Sequence, residues 1–473
     1  MPFFALLLTL VSLVAPPASS SSLSWGACGD DQLGKALTEA GATCATLTVP
    51  VDYQRPSAGS VKVAITKIKA TDPAHRRGAL LVNPGGPGAS GLELAAFAPQ
   101  LFPELLAQYD VIGMDPRFTG RSEAIECDWK TDTFVRSAGP DRRSYDRSVA
   151  LMRTLAAGCA GGTGRLPHAT TRNTARDIDR LRFALGEPKI NYLGFSYGTY
   201  LGAVYLQMFG AHAGRFVLDS AVDPAVYGPS LFSRNAPAMR DALVRWAASA
   251  ATRDDTYHLG ATVPAVLATV DRLHQVRQVG SYRVDESLLP AYFFSRLAQP
   301  DYETISTELT FFGKTGALPE SLEAFLRGFY TGVGNPSDRY GTPILCADRP
   351  ASRDTDSYYR DIAAHRRAEP FFGPLTRNIS PCAFWPVRGT EPPTDLRNDR
   401  PVLVVGADHD PITPYPGQLA MRQRLTGSSS VTVQGVYRHT VYKVAGSACL
   451  DHLVTSYLLG SSVPRSSICP PPT

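Results

Sequence analysis

The chain lacks several features that would have narrowed its class quickly. Its eight cysteines contain no Cys-x-x-Cys pair, which argues against a structural zinc site or a thioredoxin-like redox centre. The net charge is +4 and the charges are scattered, with no basic run long enough to bind nucleic acid. No apolar stretch reaches the roughly 20 residues that a bilayer-spanning helix requires. There is no internal repeat, and no Pro/Ser-rich linker divides the interior. A solenoid and a string of small modules are therefore excluded in favour of one large core with an insertion. No motif asks for a metal or a cofactor.

What is present begins with residues 1–20. An uncharged apolar run at 3–15 is followed by small residues at 18–20, the pattern of a signal peptide. No Lys or Arg precedes it, so the start codon is expected upstream. The cysteines agree with export to an oxidising compartment. Sequence alone leaves about 105 pairings open for eight cysteines. The expectation is the sequence-local scheme: Cys28 with Cys44, Cys127 with Cys159, Cys346 with Cys382, Cys449 with Cys469. In the loop-entropy picture each such bridge adds roughly 3 kcal/mol. The protein is expected to be secreted, extracellular, monomeric and free of the membrane once the signal is cleaved.

Downstream, residues 61–70 alternate apolar and polar like a half-buried strand. Short apolar runs follow at 79–82, 109–114, 190–193 and 215–218. Helical spacing over 171–185 and in TYLGAVYLQMF after residue 198 alternates with them, which predicts a mostly parallel sheet with crossover helices. The rhythm lapses over residues 223–400, which read as a helical cap or lid. It resumes at 401–405, 430–433 and a helix at 447–459. The expected organisation is an α/β core at 21–222 and 401–473, interrupted late by the cap.

A serine hydroxyl needs a base, a group to orient that base, and donors for the oxyanion. Residues 194–198, GFSYG, match a nucleophile elbow with Ser196 at its apex, between a strand and a helix rich in small residues. Residues 83–91, NPGGPGASG, form a tight glycine loop after a buried strand; the amides of Gly86 and Tyr197 are the expected oxyanion donors. A phosphate-cradling reading fails because no Gly-Lys-Ser/Thr follows. The acid should end a late strand, and Asp410 leads a rigid Asp-Pro-x-Thr-Pro turn, with Asp408 as the alternative. His409 has no partner histidine for a metal. Only His439 and His452 follow Asp410; His439 lies in a loop and His452 inside a helix. The order Ser196, Asp410, His439 is that of the α/β-hydrolase fold.

Over nearly the whole chain after the signal region, the sequence resembles the secreted bacterial tripeptidyl aminopeptidases, relatives of the proline iminopeptidases. The carriers are NPGGPGASG, YDVIGMDPRFTGRS, GFSYGTYLG, RFVLDSAVDP, ADHDPITP and ACLDHLVTSYLLG. The resemblance implies a serine exopeptidase that releases short peptides, tripeptides above all, from free N-termini. It has the same Ser196, Asp410 and His439 in their roles. The family usually carries glycine where Phe118 stands, and Gly-His-Gly where this chain reads Arg438-His439-Thr440. Recognition of a substrate α-ammonium calls for a carboxylate, for which Asp223 and Asp348 are candidates. The alternatives are an esterase or lipase using the same residues, and an impaired hydrolase fold used for binding.

Overall fold

The computed structural model describes residues 23–472, apart from 276, 280, 314–317, 333–336 and 463. The expected signal peptide lies outside the described residues. The strands run β1 (Ala42–Pro50), β2 (Ser60–Ile68), β3 (Ala79–Asn83), β4 (Asp110–Met114), β5 (Ile190–Phe195) and β6 (Ala213–Asp219). A small hairpin of β7 (Arg277–Val279) and β8 (Tyr282–Val284) precedes β9 (Val402–Ala407), β10 (Ser428–Val433) and β11 (Ser466–Cys469). Nine of these form one sheet in the order β1-β2-β4-β3-β5-β6-β9-β10-β11. β1 and β2 are antiparallel to their neighbours, and the rest pair in parallel.

Every residue of β3, β5 and β9 is buried, because helices cover both faces of the sheet. The period-2 alternation still decides which face each side chain serves. Ala79 and Leu81 join the cluster packed with Met152, Ile178 and Leu201 from the helices Arg142–Gly158, Thr171–Ala184 and Tyr197–Phe209. Leu80 and Val82 turn to the opposite cluster with Leu105 and Val454. Two sheet strands, β1 and β11, were not legible as such. Both are edge strands with partly exposed faces, so their apolar signal is diluted. The Cys449–Cys469 disulfide ties β11 to the helix Ala448–Leu458. The other bridges join Cys28–Cys44, Cys127–Cys159 and Cys346–Cys382, and no free cysteine remains.

Between β6 and β9 the chain divides its packing. Helices Ala236–Ala251, Val263–Leu273, Leu288–Ala298, Tyr302–Gly313 and Glu320–Thr331 share their own apolar cluster around Trp246, Phe293, Leu326 and Phe329. Helices Ser337–Asp348 and Thr355–His365 instead send Ile344, Leu345 and Ile362 into the main core. No helix of the described residues is long and apolar enough to cross a membrane.

Candidate active site

Ser196 sits at the strand-to-helix junction with φ 54° and ψ −122°, a conformation non-glycine residues rarely adopt. The turn is possible because its flanking glycines leave no room for anything else. A Cβ on Gly194 would lie 2.4 Å from the Tyr192 ring, and one on Gly198 would lie 2.7 Å from Asn83 Oδ1. Ser196 is partly exposed while Phe195 and Tyr197 on either side are buried. The hydroxyl is thus presented outward from a packed turn.

The glycine loop lies directly on that turn. Gly85, Gly86 and Gly88 have φ of 97°, 100° and 95°. A Cβ on Gly85 would fall 2.4 Å from the Phe195 carbonyl oxygen and 2.9 Å from Ser196 Cβ. The Gly85 N–H donates to Asn83 Oδ1 at 3.0 Å, which sets the loop's entry. Tyr197 opens the following helix, so its N–H precedes any intrahelical acceptor and is directed out of the helix N-terminus. The DPRFTGRS segment supports this loop and does no chemistry of its own. Asp115 accepts from Ser90 Oγ at 2.6 Å, and Ser90 in turn caps the helix Gly91–Ala96. Arg117 is buried in a two-point pair with Asp177.

Asp410 is fully buried and its turn organises it. Oδ1 accepts from the N–H groups of Ile412 and Thr413 at 2.8 and 2.9 Å, and Oδ2 accepts from Thr413 Oγ1 at 2.8 Å. His439 Nδ1 lies 3.0 Å from Oδ2, which assigns its proton to that nitrogen and leaves Nε2 for a proton on the substrate side. Segments between β6 and β9 reach His439 and the turn of Asp410. The His439 N–H donates to the Ala298 carbonyl at 2.7 Å, and Asn235 Nδ2 donates to the Ile412 carbonyl at 2.6 Å.

The other residues singled out in the sequence have different tasks. Asp408 accepts from the Gly435 and Val436 amides and so braces the start of the base loop, apart from the imidazole. His409 stacks on Tyr437 and bonds Asp241. His452 is exposed on its helix. Asp223 accepts from the Ala225 N–H and pairs with Arg234 at 2.8 Å. Asp348 is enclosed by the Thr171 amide and hydroxyl and by the Tyr227 hydroxyl. Both carboxylates are thus already engaged by groups of the protein itself.

Two other carboxylates face the site. A cavity of about 290 Å³ contains His439 and is walled by Ile412, Ala298, Phe294, Phe325, Asp132 and Asp338. Asp338 accepts from Thr133 Oγ1 at 2.5 Å, and burial pushes its carboxyl up to about 6. Asp132 Oδ1 is enclosed with no hydrogen-bond partner among the described residues, and burial raises its carboxyl against the pull of Arg136. One turn beyond Asp338, Gly341 packs on Pro87 of the glycine loop; a Cβ there would lie 2.1 Å from the Pro87 oxygen. Neither acid carries a sequence signal, since each stands alone in irregular text and meets partners some 200 residues away.

Of the three positions at which the resemblance calls for glycine, Phe118 and Thr440 fall in left-handed backbone and Arg438 does not. Phe118 has φ 66° and Thr440 has φ 64°. These are conformations in which glycine is free and other residues are strained.

A parallel-rich sheet carrying a serine elbow, a glycine loop against it and a late acid–histidine pair defines an α/β-hydrolase, and the enzyme is a serine hydrolase. The chain belongs to the tripeptidyl aminopeptidase family. It is 32% identical to a tripeptidyl aminopeptidase of Streptomyces coelicolor over 97% of this chain and 88% of that protein. It is 29% identical to the serine protease Hip1 of Mycobacterium tuberculosis, over 96% and 92% of the two chains. It is also 32% identical to a protein named carboxylesterase B from the same species, over 99% and 97%. Residues 369–469 match the family described as TAP-like protein.

Proposed function

We propose that this is an exported serine exopeptidase that removes short peptides, tripeptides above all, from free N-termini. His439 Nε2 takes the Ser196 proton as Oγ attacks the scissile carbonyl. The oxyanion is held by the Gly86 and Tyr197 amides, and Asp410 steadies the imidazolium that forms. The proton then passes to the leaving amine, and water releases the acyl-enzyme by the same route. The Asp410–His439 bond and the elbow geometry support these roles. Four disulfides support export.

The observation that carries the N-terminal reading is the acidic wall of the His439 cavity. Asp132 and Asp338 line it, and His439 is the one basic side chain among the described residues lining it. A desolvated substrate ammonium needs such a partner, and a carboxylate oxygen without a bond of its own needs such a donor. These two residues are preferred to Asp223 and Asp348, whose carboxylates already bond Arg234, Thr171 and Tyr227.

The test is a panel of free and N-acetylated di-, tri- and tetrapeptide anilides, assayed on wild type and Ser196→Ala. Free tripeptides should be cleaved best, acetylation should abolish cleavage, and the alanine variant should be inert. Activity in the alanine variant would sink the mechanism. Equal cleavage of blocked substrates, or turnover of short esters alone, would favour an esterase.

A further inference from the structure

We infer that Asp219 is a positioning residue that locks the loop carrying His439 onto the turn carrying Ser196. The inference rests on the catalytic roles proposed above. Asp219 ends β6, beside β5 in the sheet, and is fully buried. Its carbonyl accepts the Ser196 N–H at 2.9 Å. Its carboxylate accepts the Val441 N–H at 3.1 Å to each oxygen and the Tyr442 N–H at 2.8 Å. Ser220 extends the knot. Its Oγ accepts the Thr440 N–H at 2.9 Å, and its own N–H donates to the Val405 carbonyl at 2.8 Å, on the strand leading to Asp410. One dipeptide therefore touches the segments that bear the serine, the base and the acid.

The local backbone explains why such a lock is needed. Ser220 and Thr440 both have positive φ, 59° and 64°, without being glycine. Conformations of that kind persist only where the surroundings over-determine them. A buried carboxylate is costly unless its oxygens are satisfied. Besides the neighbouring Ser220 hydroxyl, Asp219 is satisfied by amides of the base loop, so its charge is committed to holding that loop. Asp219 is not the acid that orients the imidazole, because Asp410 occupies His439 Nδ1.

The charged groups facing Asp219 also come from the base loop, His439 and Arg438. Burial pushes its carboxyl up to about 6, against the lowering effect of the Tyr442 and Val441 amides. Below that pH a proton displaces part of the amide bonding, and the base loop loses its anchor.

The experiment compares wild type, Asp219→Asn and Ser220→Ala as full, oxidised chains. A free tripeptide anilide is assayed from pH 5 to 9, and Ser196 is labelled with a fluorophosphonate. Asp219→Asn should lower both kcat and labelling rate by about 10–100-fold with little change in KM, as a small misplacement of the base does. Its acid limb should become less steep than that of wild type, because the Asp219 proton no longer contributes. Ser220→Ala should lose roughly 3–10-fold by the same route. A folded Asp219→Asn protein with wild-type kcat and an unchanged limb overturns the inference. If that variant does not fold, a Ser220→Ala protein with wild-type kcat and labelling rate overturns it equally. A wild type that is not labelled at Ser196 sinks the catalytic roles, and the inference with them. Labelled wild type with unaffected variants sinks the inference alone.

Discussion

The two loops that flank Ser196 both enter left-handed backbone space, and they do so by different means. The oxyanion loop uses glycine at each such position: Gly85, Gly86 and Gly88. The base loop has glycine at its two ends, Gly435 and Gly446 at φ 67° and 70°, but beside His439 it uses Thr440 and Lys443, at φ 64° and 65°. A non-glycine residue there costs roughly 1–2 kcal/mol. The base loop offsets that cost with carboxylates from outside it. Asp219 takes the Val441 and Tyr442 amides, and Asp451 Oδ1 accepts the Lys443 N–H at 2.9 Å. Hydrogen bonds to charged groups of this kind contribute about 1.5–3 kcal/mol each. The shape of the first loop is written in its own residues. The shape of the second is imposed by partners as far as 223 residues away.

The contrast breaks most visibly at Gly85. Alanine there would combine a φ of 97° with a Cβ 2.4 Å from the Phe195 oxygen, so either the loop or the serine turn must move. Gly85→Ala should cost about 100-fold or more in kcat/KM, the scale of losing an oxyanion donor. Activity within a few-fold of wild type would mean that the glycine is not sterically required. At the far end of the base loop, Asp451→Ala removes the Lys443 anchor and an acid in the first turn of the helix Ala448–Leu458. A loss of about 1–2 kcal/mol in urea unfolding is expected, with a several-fold fall in kcat. A loss of stability with full activity would show that Asp451 serves the helix alone.

The same contrast explains how much was legible in the sequence. The elbow, the glycine loop and the Asp410 turn are each a few contiguous residues whose glycines and prolines encode their conformation, so their shapes could be read in place. The alternation of apolar runs with helical spacing likewise revealed the parallel part of the sheet, while the edge strands β1 and β11 were too exposed to stand out. Asp219 could not be read, because its significance lies in amides that only the fold brings to it. Asp223 and Asp348 looked available as carboxylates. Sequence does not disclose that Arg234, Thr171 and Tyr227 already occupy them. For the same reason Asp132 and Asp338 carried no signal until the cavity around His439 placed them together.

The smallest expected effect is the most discriminating. Thr440→Gly gives the base loop what the oxyanion loop already has. Relief of the left-handed strain is partly cancelled by the greater freedom of glycine in the unfolded chain, so the net gain should be only about 0.5–1 kcal/mol. The same exchange at Phe118 offers no such gain, because that ring is 1% exposed and bedded in the core. The decisive measurement is a double-mutant cycle between Thr440→Gly and Asp219→Asn, read in kcat and in thermal unfolding. If glycine makes the loop's shape local, the single-site cost of Asp219→Asn should shrink in its presence, since an anchor matters less to a backbone at rest. If the cost is unchanged or larger, Asp219 is not relieving the strain at Thr440. The two loops would then differ in composition but not in how their conformation is held.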